Sequence, residues 1–128
     1  MQATVTTFVF GLPQGRTTTR VEVSLPRARL TLHELIAHKI AQEVAEIDAQ
    51  QRPGLSGEYL TPEALILAAG PLQPGAAEAE IARAQQAFAA REYMIVIDDR
   101  RVWEADAVVD VGPETQIEFI KILPLVGG

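Results

Sequence analysis

The 128-residue sequence contains no cysteine. That excludes disulfides, thiol nucleophiles and cysteine-ligated zinc together. Lysine is almost as scarce, with Lys39 and Lys121 alone. Aromatic residues make up 5%, so branched aliphatics and alanine must fill the core. No apolar run approaches the ~20 residues that span a bilayer. The eleven basic residues are scattered, so no stripe exists to track a phosphate backbone. Neither nucleic acid nor membrane is therefore expected as a partner. Residues 1–5 carry no basic region leading into an apolar run, so no secretory signal is read there and the cytoplasm is the expected compartment.

What is present suits one globular domain. Hydrophobic residues make up 48% and charged residues 22%, close to the average for soluble chains. The net charge of −6 favours a partner with a basic surface.

Residues 4–10, TVTTFVF, have strand composition. A break at residues 11–15 follows. Residues 17–25 then alternate, with Thr19, Val21, Val23 and Leu25 on one face and Arg20, Glu22 and Ser24 on the other. Period two predicts a half-buried strand, and the two strands predict a hairpin. Thr31-Leu32-His33-Glu34 fits a capping box. Leu32, Leu35, Ile36, Ile40, Val44 and Ile47 follow at helical spacing as one apolar stripe. Pro53-Gly54 lies beyond the helix end.

Residues 53–75 hold four prolines and four glycines, a loop composition around one short helix predicted at 61–69, where Thr61 caps and Pro62 starts it. Residues 76–91 predict a second helix. Its thin apolar face (Ile81, Ala84, Phe88) predicts a position on the surface of the domain, and Glu78, Glu80 and Glu92 predict a solvated face. Residues 93–97, YMIVI, predict a strand, and Asp98-Asp99-Arg100-Arg101 a charged turn. Val102-Trp103 starts a short return, with Trp103 half-buried beside the core. Residues 108–111 lead into a Gly112-Pro113 turn, and residues 116–123 form a long final strand. That strand has no neighbour in sequence. It is expected to pair in parallel with the first, in a four- or five-stranded mixed sheet packed on the main helix: an α+β fold.

Little here suggests intrinsic catalysis. His33 and His38 are five apart, which turns them ~140° from each other on a helix, so they are read as capping or surface residues and no metal is expected. No phosphate-binding loop or nucleophile elbow is found. The chain is expected not to be an enzyme.

The informative stretch is residues 108–128, VVDVGPETQIEFIKILPLVGG. It places Val109, the turn Asp110-Val111-Gly112-Pro113-Glu114, Phe119, Pro124, Leu125-Val126 and Gly127-Gly128 in order. With the element order of the whole chain, this resembles the ubiquitin-like β-grasp proteins, the superfamily of bacterial ubiquitin-like modifiers and of the thiamine- and molybdopterin-type sulfur carriers. Residues 53–92 depart from that pattern as a helical insertion between the main helix and the third strand; residues 123–128 match its extended tail.

The resemblance implies a function. Gly128 would be the covalent attachment point, adenylated by an activating enzyme that uses ATP and Mg, with no cofactor held by the chain itself. Leu123, Pro124, Leu125, Val126, Gly127 and Gly128 would be recognised by that enzyme, and Ile120 and Ile122 would form a partner surface. A protein modifier would further need a conjugating enzyme, a peptidase that processes the Gly-Gly end and target proteins joined by isopeptide bonds. A sulfur carrier would bear a thiocarboxylate on Gly128 instead. A non-covalent binding module is the third reading.

The physical argument runs in the same direction. Residues 123–128, when extended, reach about 20 Å. Glycines without a β-carbon allow close approach to a nucleotide, and Pro124 reduces the entropy lost on docking. With only two lysines, extensive lysine-linked polymers are not expected.

Overall fold

The computed structural model describes residues 1–12, 15–50 and 76–122. They form an α+β fold of the β-grasp type. In chain order come β1 (Gln2–Leu12), β2 (Gly15–Ser24), β3 (Arg29–Thr31), α1 (Leu32–Gln50), α2 (Ala76–Ala89), β4 (Tyr93–Ile97), β5 (Arg100–Val102), β6 (Val108–Asp110) and β7 (Ile117–Ile122). The five-stranded sheet has the order β2-β1-β7-β4-β5. Strand β7 runs parallel to β1, as the sequence predicts, with Val5 opposite Ile117 and Phe10 opposite Ile122. Its other edge is antiparallel to β4.

Alternation places Val5 and Val9 of β1, Val21 and Val23 of β2, and Ile117 and Phe119 of β7 on the inner face. Leu32, Leu35, Ile36 and Ile40 of α1 cover it, each at most 5% exposed. The predicted stripe therefore forms the core; the side chain of Ile47 lies outside the described residues, as does the helix predicted at 61–69.

The capping box at the start of α1 is formed. The Thr31 N–H donates to Glu34 Oε1 (3.0 Å) and the Glu34 N–H to Thr31 Oγ1 (3.2 Å). Arg27 also donates to Glu34. The bond from the Thr31 backbone holds the Glu34 carboxyl below its ordinary value, aided by the Thr31 hydroxyl and Arg27. The next two N–H groups of the first turn find carbonyls: Leu32 donates to Ala107 (3.0 Å) and His33 to Ala105 (3.0 Å). Such orphan donors otherwise need water or side chains.

Two expectations are corrected, one is sharpened and one element is new. Helix α2 lies at the surface of the domain with one stripe in the common core: Ala84, Ala87 and Phe88 are buried, while Glu78, Ala79, Ala82, Arg83, Gln86 and Ala89 are exposed. Glu80 does not belong to a solvated face; it is 2% exposed and accepts from Arg83 (2.9 Å), while Glu78 is exposed. The charged turn is confined to Asp98 and Asp99, both at positive φ (48° and 66°). That is the geometry of a two-residue type I′ hairpin, which asparagine and aspartate tolerate, and Arg100 and Arg101 already belong to β5. A two-stranded ribbon of β3 and β6 was not expected; it pairs Arg29 with Asp110 and Thr31 with Val108.

A buried ion pair lies within α1, and its ammonium faces the sheet. Lys39 is fully buried and its Nζ lies 2.5 Å from Glu43 Oε1. The same ammonium sits 5.0 Å from the centroid of the Phe119 ring, within reach of a cation–π contact. Phe119 stacks on Tyr93 (5.8 Å, 17°), and Tyr93 meets Phe88 at a tilt (5.7 Å, 45°). Burial pushes the Tyr93 phenol far up, reinforced by Glu43 and Glu92. It therefore stays protonated and donates to the Ala84 carbonyl (2.6 Å).

Two predictions rest on these contacts. Lys39→Met alone takes the ammonium away from a buried carboxylate and is expected to cost about 3–5 kcal/mol in denaturant unfolding; Lys39→Met with Glu43→Leu is expected to recover part of that loss. A double variant as unstable as the single one would contradict the account. Glu34 contributes stability above its ordinary value of 4.5, and that contribution is lost as pH falls through the lowered folded value. Glu34→Gln should therefore unfold more easily than the parent near neutral pH, with the gap closing under acid. An unchanging gap would argue against it.

Candidate functional site

The residues that point to function sit on β7 and beyond it. Strand β7 lies between β1 and β4, so both of its backbone edges are hydrogen-bonded. Its N-terminal end is tied as well. The Gln116 N–H donates to Asp98 Oδ1 (2.9 Å) and the Asp98 N–H to the Gln116 carbonyl (2.9 Å). The turn before it closes through Gly112 N–H to Thr115 Oγ1 (2.7 Å) and Thr115 N–H to the Gly112 carbonyl (3.1 Å). The whole strand is thus fixed up to Ile122.

Leu123, Pro124, Leu125, Val126, Gly127 and Gly128 lie outside the described residues. The structure places the other two predicted site residues. Ile120 is half-buried and Ile122 is 61% exposed. Both stand on the sheet face opposite the helices, since Ile117 and Phe119 point inward.

Pairing brings neighbours to them that sequence reasoning did not single out. Phe8 stands opposite Ile120 and Phe10 opposite Ile122 across the parallel ladder. Met94 faces Ile120 from β4. The Phe8 and Phe10 rings stack 6.3 Å apart. The outer face is therefore apolar along the C-terminal half of β7. The signal was in the alternation of residues 4–10: with Val5 and Val9 inward, Phe8 and Phe10 must face out.

Trp103 follows β5 and is 48% exposed. Arg101 lies over its ring at 3.4 Å and Arg91 at 4.7 Å. Arg91 occupies a left-handed position (φ 61°) just past α2. Its N–H donates to the Phe88 carbonyl and that of Glu92 to the Ala87 carbonyl, a Schellman closure in which glycine is usual. An arginine there gives up some backbone comfort and gains the stack on Trp103.

Neither lysine is displayed. Lys39 is fully buried and Lys121, on the inner face of β7, is 9% exposed. The N-terminal amine is the accessible primary amine of the described residues, 3.4 Å from the Leu25 carbonyl, on a residue 45% exposed. Among the described residues no group of three or more His, Asp or Glu side chains is placed to hold a metal ion, and no helix is long and apolar enough to cross a membrane.

No family model matches the chain, and neither a curated protein nor a solved structure matches it.

The burial of the lysines is testable. Brief acylation of the native protein with an amine-reactive ester is expected to label the Met1 amine first. Lys39 should react only after unfolding, read by peptide mass spectrometry. Rapid labelling of Lys39 in the folded protein would overturn its placement.

Proposed function

We propose that this chain is a ubiquitin-like protein modifier that acts through the carboxylate of Gly128. An activating enzyme, using ATP and Mg, joins the carboxylate to AMP with release of pyrophosphate. The mixed anhydride passes its acyl group to an enzyme thiol, and a target amine then takes it from the thioester as an isopeptide bond. The chain supplies no catalytic group in this scheme; it supplies a recognisable body and a reachable acyl end.

The observation that carries the reading is the succession of Leu123, Pro124, Leu125, Val126, Gly127 and Gly128 directly after β7. Two further features support it. Strand β7 is paired on both edges, so force applied to the tail by a threading enzyme is resisted by the whole sheet. Both lysines are buried, so an activated Gly128 meets no lysine of its own body that competes with a target.

A second reading, the sulfur carrier, is favoured by the spacing of Pro124, with two residues between it and Gly127-Gly128. There the adenylate is attacked by a sulfur donor, and the product is a thiocarboxylate. A non-covalent module is the third reading, and the apolar outer face around Ile120 and Ile122 would serve it equally.

One experiment separates the three. The chain with a free Gly128 carboxylate is incubated in lysate of its source cells with ATP and magnesium, then recovered for intact mass and peptide analysis. A modifier is expected to yield branched peptides carrying Gly128 on target amines. A sulfur carrier is expected to gain the mass difference of one sulfur replacing one oxygen. Deletion of Gly127 and Gly128 should abolish either product. Adducts that survive the deletion, or none from the intact chain, would sink the modifier reading.

A further inference from the structure

The edge of the sheet at β2 carries a pattern that no contact among the described residues explains. Among the described residues β2 pairs with β1 alone, and no described strand meets the N–H and C=O groups of its other edge. Exposed edges are normally blunted by proline, charged side chains (lysine above all), a bulge or an inward charge. Over residues 18–24 there is no proline, lysine, bulge or inward charge, and the charges present are one of each sign; the register with β1 is regular from Gln2 opposite Ser24 to Val9 opposite Thr17. Pro26 comes only after the strand ends.

The two charges on this stretch are Arg20 and Glu22. They lie on the outer face, two residues apart, with Val21 buried between them on the inner face. Across the ladder they face threonines, Thr6 and Thr4. Among the described residues neither has an ion-pair partner.

We propose that β2 is the dimer interface of this protein, pairing antiparallel with β2 of a second copy about a two-fold axis through Val21. The charge order is what commits the occupant to a second copy. In an antiparallel pair centred on Val21, Arg20 lies directly opposite Glu22 of the second copy, and Glu22 opposite its Arg20. Thr18 meets Ser24 and Thr19 meets Val23 in the same register. The patch is self-complementary, as a two-fold interface requires, and directly opposed unlike charges stabilise a strand pair. An axis normal to the sheet keeps both sets of helices on one side and makes one continuous sheet of two copies. This inference does not depend on the chemistry of Gly128.

The contact is narrow, so association is expected at the weak end of specific interfaces, with Kd on the order of 10–100 µM. Sedimentation velocity of the full chain from roughly 5 to 500 µM covers that range. Wild type should pass from monomer to dimer. Arg20→Glu sets two carboxylates against each other at both symmetry-related pairs, and Glu22→Arg sets two guanidinium groups against each other in the same way. Each should weaken the dimer about tenfold or more. An equimolar mixture of those two single variants should form a heterodimer, because every opposed pair is again unlike. Arg20→Glu with Glu22→Arg together should restore the homodimer. Substitutions at such surface positions leave the fold intact, which circular dichroism checks. A wild type that stays monomeric throughout, or a dimer that tolerates both single variants, would overturn the proposal.

Discussion

Strand β7 is the strand on which the remaining geometry depends. It has a β1 ladder on one edge and a β4 ladder on the other, so it can neither slip in register nor peel away without breaking two sets of hydrogen bonds. A slip by one residue would exchange its faces. Phe119 and Ile117 would move into solvent and Ile120 into the core. The parallel pairing with β1 needs a long crossover, and the whole of residues 13–116 provides it. The N-terminal and C-terminal strands are thus the most distant in sequence and among the most tightly joined in space.

The inner face of β7 is anchored by an arrangement that mixes polar and apolar contacts. Lys39 rests over Phe119 and pairs with Glu43, and Tyr93 stacks on the same ring. Burial of two full charges costs several kcal/mol per ion before pairing offsets it. Such an arrangement is a poor source of stability but a strict one for position. Moving α1 by one turn would separate the ammonium from the ring, although the Lys39–Glu43 pair would travel with the helix. Tyr93 extends the same constraint to α2, since its hydroxyl reaches Ala84 and its ring meets Phe88. The inner stripe of α2 is therefore tied into the core.

These facts also explain what could be read from the residues and what could not. The capping box at Thr31 and Glu34, the stripe of α1 and the alternation of β2 depend on neighbours within four positions, and each is found where local pattern puts it. The parallel partnership of the first and last strands was legible because no other strand was free to take that place. The burial of Glu80 was not legible, because the depth of one side chain on a helix dominated by alanine depends on how another element meets it. The ribbon of β3 and β6 was missed for a similar reason: three-residue strands have no period of their own, and only their pairing with each other defines them. Ile120 and Ile122 followed from parity, whereas Phe8, Phe10 and Met94 needed the register of three strands to be known together.

Two surfaces then bear on how the chain would meet other molecules. The outer face along β7 is apolar and lies at the centre of the sheet; the β2 edge lies two strands away from it. If two copies join through β2, the two β7 strands stand five strand spacings apart, roughly 24 Å, and run in opposite directions. The Ile122 ends then point toward opposite ends of the joined sheet, so neither crosses the other. The apolar face around Ile120 and Ile122 is left uncovered in each copy, because the join adds backbone pairing at an edge and places nothing over either face. An enzyme acting beyond Ile122 would therefore meet the same strand and the same outer residues in the dimer as in the monomer. Pairing at β2 and chemistry at Gly128 are geometrically compatible, and the loss of one leaves the other unaffected.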